Sequence, residues 1–368
     1  MAIRILIAGG GTGGHLFPAV AIAQEFIAKD PGNKVIFVST GNPFESSVLD
    51  KAGFTLEKVT VEGIKGRGIL RQLRSIWKIP MGIFESIRII NNFKPDLVMG
   101  VGSYAAGPVA IGAWFMRKKI VLHEQNILPG ITNRILSRFS DRIYVSFKNT
   151  KANFNPKKVL YTGNPLRKAL LQIVNSNNDN HTVASAGDDV FTILILGGSQ
   201  GAHSINEAVI NSLEHFKEKK NFYFIHQTGK QDEEKVKKAY QDRGIPCRVK
   251  PFFDDMAKQY QNANLIICRA GATTVAELAA VGKGVIFIPF PFAADNHQVL
   301  NARTFTEAGA AEMILQQDLT GRVLTERIEY YASNKKVLEA MASRAKSLGK
   351  PDAAKAIVAD CYKLIRNN

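Results

Sequence analysis

The chain has 368 residues, 45% of them hydrophobic, and carries 48 Lys and Arg against 32 Asp and Glu for a formal net charge of +16. Its length predicts roughly two domains, no stretch approaches the ~20 apolar residues of a membrane-spanning helix, and Cys247, Cys268 and Cys361 are too widely spaced for a disulfide framework or a CxxC zinc site, which points to a reducing cytoplasm. The positive charge favours phosphate-bearing partners, but no RNA-stacking motif, zinc finger or lysine run accompanies it, so no nucleic-acid partner is expected.

The first predicted element is a strand, Ile3–Ala8, running straight into the glycine loop GGGTGGH, Gly9–His15, and leaving no room for an export signal. Such a loop lets backbone N–H groups approach an anion at the start of the next helix. A tight structural turn would have the same look. The loop contains a formal GxGxxG, yet the second strand, Val35–Val38, ends in Ser39, Thr40 and Gly41 instead of a ribose-gripping carboxylate, which argues against a dinucleotide-binding dehydrogenase. No Lys followed by Ser or Thr closes the loop, so a P-loop fails too.

The segment Gly63–Lys94 sets Lys65, Arg67, Arg71, Arg74, Lys78, Arg88 and Lys94 against the single acid Glu85. Within it Ile69, Leu70, Leu73, Ile76 and Trp77 recur at helical spacing beside Arg71, Arg74 and Lys78, which predicts a short amphipathic helix resting on an anionic membrane surface. A core-packed stripe with solvated charges is the plainer alternative.

Further strands are predicted at Asp96–Met99, Ile120–His123, Arg142–Val145 and Val159–Tyr161, short and nearly continuous in hydrophobicity as buried parallel strands are. HEQN, His123–Asn126, ends one of them. The polar stretch Leu171–Asp189 reads as a loop at the domain junction. After it the pattern restarts with strand Phe191–Leu196 and a second glycine loop, GGSQGAHSIN, in which Ser199 offers a hydroxyl. Strands Phe222–His226, Leu265–Cys268 and Val285–Ile288 follow, with helices over Asp232–Asp242 and Thr274–Val281.

CRAGATTVAE opens the latter helix, where small residues and helix N–H groups suit a diphosphate without a metal, and Glu277 lies one turn on. A carboxylate near a helix start is also commonplace. PFPFAADNHQ, Pro289–Gln298, gathers polar side chains that would read sugar hydroxyls or simply cap a helix. A last helix over about Asp352–Ile365 is expected to cross back onto the first domain.

With GGGTGGH, HEQN, GNPLR, GGSQGA, AGATTVAE and DNHQ in this order over nearly the whole chain, the sequence resembles the MurG family of peptidoglycan N-acetylglucosaminyltransferases. The resemblance implies an α/β fold of two Rossmann-like, doubly wound parallel-sheet domains facing a cleft, the glycosyltransferase B architecture. It places an acceptor and membrane domain at 1–165, with the helix at about 350–368 returning to it, and a UDP-sugar domain at 166–349. It implies inverting transfer of N-acetylglucosamine from UDP-N-acetylglucosamine to lipid I, the undecaprenyl diphosphate-linked muramyl-pentapeptide, by a peripheral protein on the cytoplasmic face of the inner membrane.

Carried over by motif, substrate contacts fall on Thr12, Gly13, Gly14, Asn126, Arg167, Ser199, Phe253, Ala272, Thr273, Thr274, Val275, Ala276, Glu277 and Gln298, with Glu277 at the ribose and Gln298 at the sugar. Ser103 departs from the family in standing where a second glycine is frequent, and Phe253 in replacing an aliphatic residue beside the uracil. His15 is the candidate general base, since imidazole, with an ordinary pKa of about 6.5, moves protons at neutral pH. Helix dipoles, N–H groups and Arg167 would meet the leaving diphosphate, and with no Asp-x-Asp motif neither a metal nor a cofactor is expected. A UDP-sugar epimerase on the same scaffold and a noncatalytic sugar-nucleotide-binding membrane subunit are the rival readings.

Overall fold

A computed structural model describes residues 2–61, 69–176, 190–198 and 201–366, with the backbone alone at 69–78. The chain divides into two compact units, Met1–Arg167 with Lys350–Asn368, and Lys168–Gly349.

The first unit is built on a parallel sheet of β1 (Arg4–Ala8), β2 (Lys34–Ser39), β3 (Thr55–Lys58), β4 (Leu97–Gly100), β5 (Lys119–Glu124), β6 (Arg142–Val145) and β7 (Val159–Tyr161). Their order is β3-β2-β1-β4-β5-β6-β7. Side chains alternate across a strand, so Ile5, Ile7 and Met99 enter one core and Leu6, Ala8 and Val98 the other. Both faces are therefore covered: helices α1 (Gly13–Lys29), α2 (Pro43–Ala52), α3 (Ile69–Phe93), α4 (Ala106–Phe115) and α5 (Ile131–Leu136) connect the strands.

In the second unit, α6 (Lys168–Ser176) precedes β8 (Phe191–Leu196), α7 (His203–Ser212), β9 (Phe222–Gln227), α8 (Glu233–Asp242), β10 (Cys247–Lys250), α9 (Met256–Asn262), β11 (Leu265–Cys268), α10 (Ala272–Val281), β12 (Gly284–Phe287), α11 (His297–Glu307), β13 (Glu312–Met313), α12 (Gly321–Ser333) and α13 (Lys335–Leu348). The strand order, β10-β9-β8-β11-β12-β13, repeats the logic of the first sheet. In each sheet the chain winds outward one way, then returns beside its first strand and winds the other way. The order thus reverses between β1 and β4 and between β8 and β11, the points at which open parallel sheets place ligands beyond their carboxyl ends.

The last helix, α14 (Ala353–Arg366), buries Ile357, Val358 and Cys361 in the core that holds Ile3, Ile5 and Phe26. Asp360 fixes it, accepting from Tyr144 Oη at 3.1 Å and forming an ion pair with Arg142, Nε at 2.9 Å.

Three strands escape the sequence pattern: β3 (TLEK), β10 (CRVK) and β13 (EM). All are edge strands, only partly buried, and lack the continuous apolar run that marks an interior parallel strand. The expected loop over Leu171–Asp189 is corrected at its start, because α6 continues through Ser176; residues 177–189 lie outside the described residues. The expected short amphipathic helix is also corrected: α3 runs 25 residues and passes through Pro80. Glu85, the lone acid of that segment, accepts from Thr60 N at 2.6 Å and Thr60 Oγ1 at 3.0 Å, tying α3 to the loop after β3.

Candidate active site

The glycine loop after β1 is occupied by the protein itself. Gly10 N–H donates to Ser103 Oγ at 3.1 Å, and Gly11 N–H donates to Glu45 Oε1. Glu45 is fully buried and also accepts from Ser39 Oγ at 2.6 Å and Asn42 N at 3.0 Å, the latter as half of the capping box that starts α2. A Cβ at Gly10 would collide with that carboxylate, so glycine is required there by close approach. The expectation that this loop as a whole cradles an anion is corrected accordingly, leaving Thr12, Gly13 and Gly14 at the start of α1 as the part to consider. Ser103 has φ +70°, and its hydroxyl bond to Gly10 accounts for a side chain in a conformation that favours glycine.

His15, half-buried in the first turn of α1, has its Nδ1 2.9 Å from Gln125 Oε1. Gln125 Nε2 donates to Val101 O at 3.0 Å and to His123 Nδ1 at 3.0 Å. Gly102, at φ +92°, lies against the imidazole; a Cβ there would stand 2.9 Å from His15 Cε1. Burial pushes the His123 pKa down to about 3, a bond to the Gly163 backbone opposes this, and the charge of His15 adds to it. HEQN thus divides its labour. Glu124 faces away from His15 and secures the following loop, accepting from Asn126 N at 3.0 Å, Gly130 N at 3.1 Å and Asn133 Nδ2 at 2.8 Å. Arg167 stacks 5.2 Å from the Phe17 ring, which also packs on Gly13, so Arg167 and the start of α1 are neighbours.

In the second unit the predicted donor segments follow the carboxyl ends of β8, β10, β11 and β12. Buried side chains that the sequence reading missed tie them together. Gln227, at the end of β9, donates from Nε2 to Gly198 O at 2.8 Å and accepts from Phe253 N at 3.0 Å, joining the second glycine loop to the Phe253 segment. The Phe253 N–H is thereby engaged, and its ring is buried. Arg269 donates to Ile288 O and Pro289 O at 3.0 and 3.1 Å, and to Ser204 Oγ and Gln316 Oε1 at 3.0 and 2.8 Å. Burial lowers its pKa to about 10, which leaves it a cation at neutral pH. The one arginine among small residues in CRAGATT was the legible trace of this role.

Helix α10 opens with Ala272, Thr273 and Thr274, whose N–H groups point away from the helix's own carbonyls, and has no acid in its first turn. Val275 offers least of the predicted run: its side chain is buried and its N–H bonds to Gly271 O at 2.9 Å. Ala276 is half-buried. Glu277, 3% exposed, accepts from Tyr260 Oη at 3.0 Å, which orients the carboxylate. Gln298 Oε1 accepts from Phe290 N at 3.0 Å, turning its amide NH2 outward as a donor. Asp295 and Asn296, at φ +51° and +53°, make the bend before α11. Ser199 lies outside the described residues. Among the described residues no group of three or more His, Cys, Asp or Glu side chains is placed to hold a metal.

Apolar side chains surface on the first unit. Met81 and Phe84 of α3 are 52% and 72% exposed, and Trp114 and Phe115 at the end of α4, which packs on α3, are 47% and 63% exposed. Trp114 also borders a depression of about 410 Å³ lined by Arg117, Lys118, Lys119, Arg138 and Lys158. The side chains of Ile69, Leu70, Arg71, Leu73, Arg74, Ile76, Trp77 and Lys78 lie outside those described, though their backbone is helical. No described helix is long and apolar enough to cross a membrane.

Residues 5–145 match the glycosyltransferase family 28 N-terminal domain and residues 192–357 its C-terminal domain. The UDP-N-acetylglucosamine–N-acetylmuramyl-(pentapeptide) pyrophosphoryl-undecaprenol N-acetylglucosamine transferase of Syntrophus aciditrophicus is 46% identical over 367 residues, covering 100% of both chains. A crystal structure of Acinetobacter baumannii MurG aligns with a TM-score of 0.78 at 31% identity, again over 100% of both chains. The UDP-GlcNAc 2-epimerase of Neisseria meningitidis, solved bound to UDP-GlcNAc, has a TM-score of 0.68 at 16% identity, covering 99% of this chain and 100% of its own, a likeness of fold alone. Two switch-point sheets with the motif order of a glycosyltransferase B enzyme, matched by both halves of one family and by a relative along its full length, place the chain in glycosyltransferase family 28.

Proposed function

We propose that this chain transfers N-acetylglucosamine, with inversion, from UDP-N-acetylglucosamine to the muramyl-pentapeptide carried on undecaprenyl diphosphate, converting lipid I to lipid II in peptidoglycan synthesis. The observation that carries the reading is the 46% identity over the whole length of the Syntrophus transferase.

In the second unit the N–H groups of Ala272, Thr273 and Thr274 meet the diphosphate, with Ser199 contributing from the neighbouring loop. Val275 and Ala276 continue the helix to Glu277, which Tyr260 orients toward the ribose. Gln298 donates its NH2 to the sugar, and the Phe253 carbonyl reads the uracil. In the first unit His15 takes the proton of the acceptor hydroxyl. The freed oxygen attacks the anomeric carbon, the bond to the diphosphate breaks, and UDP departs with the electron pair. The N-terminal end of the α10 dipole and the Arg167 guanidinium offset the charge that develops on the leaving group. Thr12, Gly13 and Gly14 at the start of α1, and Asn126 in the segment after β5, contribute further substrate contacts.

The test is incubation of the purified chain with labelled UDP-N-acetylglucosamine and a short-chain lipid I analogue in excess chelator. Label is expected to move to the lipid at full rate with no added partner. Epimerised UDP-sugar formed without acceptor, or strict dependence on magnesium or manganese, would contradict the proposal.

Attachment is to the cytoplasmic face of the inner membrane, and no described helix spans it. Met81, Phe84, Trp114 and Phe115 enter the headgroup region beside Arg117, Lys118 and Arg138, extending the contact proposed for Ile69–Lys78. Burying a side chain such as Phe84 contributes about 2 kcal/mol. The pair Met81→Ser and Phe84→Ser is therefore expected to weaken sedimentation with vesicles containing anionic lipid by about tenfold or more. Undiminished binding would remove this surface from the attachment.

A further inference from the structure

We propose that Gln125 is a positioning residue: it locks the His15 imidazole in the Nδ1–H form, so that the Nε2 lone pair faces the acceptor hydroxyl. The proposal rests on the reading of His15 as the base and adds which nitrogen acts and what fixes it.

Val101 O can only accept, so the end of the Gln125 amide 3.0 Å from it must be the NH2. The second hydrogen of that NH2 goes to His123 Nδ1 at 3.0 Å, which commits both donors. Oε1 then necessarily faces His15 Nδ1 at 2.9 Å. A carboxamide oxygen has no hydrogen to give, so Nδ1 supplies it and Nε2 is left as the basic nitrogen.

The far end of the network agrees. His123 accepts at Nδ1 and therefore carries its hydrogen on Nε2, which lies 3.5 Å from Ser146 Oγ. That hydroxyl gives its own hydrogen to Glu124 O at 3.0 Å and so can receive one. The bond of His123 to the Gly163 backbone falls to the same Nε2–H, since Nδ1 is already an acceptor. His123 is wholly buried and stays neutral through the range in which enzymes work, so the amide keeps its orientation as solution pH changes. Gly102 closes the remaining side of the ring, where any side chain would press on Cε1. Gln125 is itself 1% exposed and acts only through His15. An imidazole holding its hydrogen on the wrong nitrogen offers the substrate a donor in place of a base, an error that costs as much as about 10⁴ in rate where such a histidine is the base.

The experiment is 15N NMR of the full chain labelled at histidine, at a pH where His15 is neutral, with its resonances assigned by their loss in His15→Ala. The wild-type ring is expected to show a protonated Nδ1 and a bare Nε2. In Gln125→Met the population shifts toward Nε2–H, and kcat falls by about tenfold or more while the donor KM moves by less than about threefold. A loss of packing alone would lower the folded fraction without changing the tautomer.

A wild-type spectrum dominated by Nε2–H overturns the proposal, and so does a folded Gln125→Met with kcat within about twofold of wild type. The wild-type spectrum decides the tautomer even if Gln125→Met fails to fold. The two readings separate cleanly: full turnover in His15→Ala removes the base role and leaves the spectrum standing, whereas an Nε2–H spectrum with an inactive His15→Ala removes the Gln125 lock and leaves the base.

Discussion

His15→Ala is expected to lower kcat by about 10²- to 10⁴-fold, the usual contribution of a positioned general base, equivalent to about 3–5 kcal/mol of transition-state stabilisation. The substitution leaves the helix intact, because His15 sits in the first turn of α1 and its N–H bonds to Thr12 O, a backbone contact that alanine keeps. Binding of UDP-N-acetylglucosamine, assigned above to the second unit, is expected to change little. Steady-state kinetics with the lipid I analogue check both parts. Turnover within a few-fold of wild type would take the base role away from His15.

Glu45→Ala is expected to destabilise the first unit by about 3 kcal/mol or more, which a shift in the midpoint of denaturant unfolding would measure. The carboxylate, itself fully buried, is the shared acceptor of Gly11 N–H, Ser39 Oγ and Asn42 N–H; Ser39 is buried with it, and the other two bonds are partly open to solvent. Removing it strands several donors at once and abolishes half of the α2 capping box, each a loss of about 1 kcal/mol or more. Glu45→Gln, of the same shape, places an NH2 where one of those donors points and is expected to recover only part of the loss. A change below about 1 kcal/mol would mean that the loop does not depend on this residue.

Glu45 also marks the boundary of what the sequence discloses. The glycine loop was visible as GGGTGGH, but its partner lies a helix, a strand and a turn later, and nothing in the loop says which acceptor it will meet. A trace was present: Asn42-Pro43-Phe44-Glu45 has the spacing of a capping box, and its glutamate is the acceptor.

The interior strands were legible for a different reason. Residues such as Leu97–Gly100 and Leu265–Cys268 are buried on both faces, so apolar runs are obligatory there. Edge strands such as Thr55–Lys58 obey no such demand and look like loops. Gln227, Arg269 and Tyr260 escaped notice because each works through one long-range hydrogen bond or a few, and a lone polar residue at a strand end or within a short helix carries no periodicity to betray it. The motif HEQN showed that the end of β5 mattered without showing that its residues face different ways.

The return of α14 to the first sheet bears on how the polypeptide matures during translation. The residues that finish the N-terminal core, Ile357, Val358 and Cys361, leave the ribosome only after Lys168–Gly349 has everything it needs to fold. Assembly therefore departs from the usual vectorial order: the later-made unit can close first, while the earlier one waits, with an apolar groove beside Ile3 and Phe26, for a helix not yet synthesised.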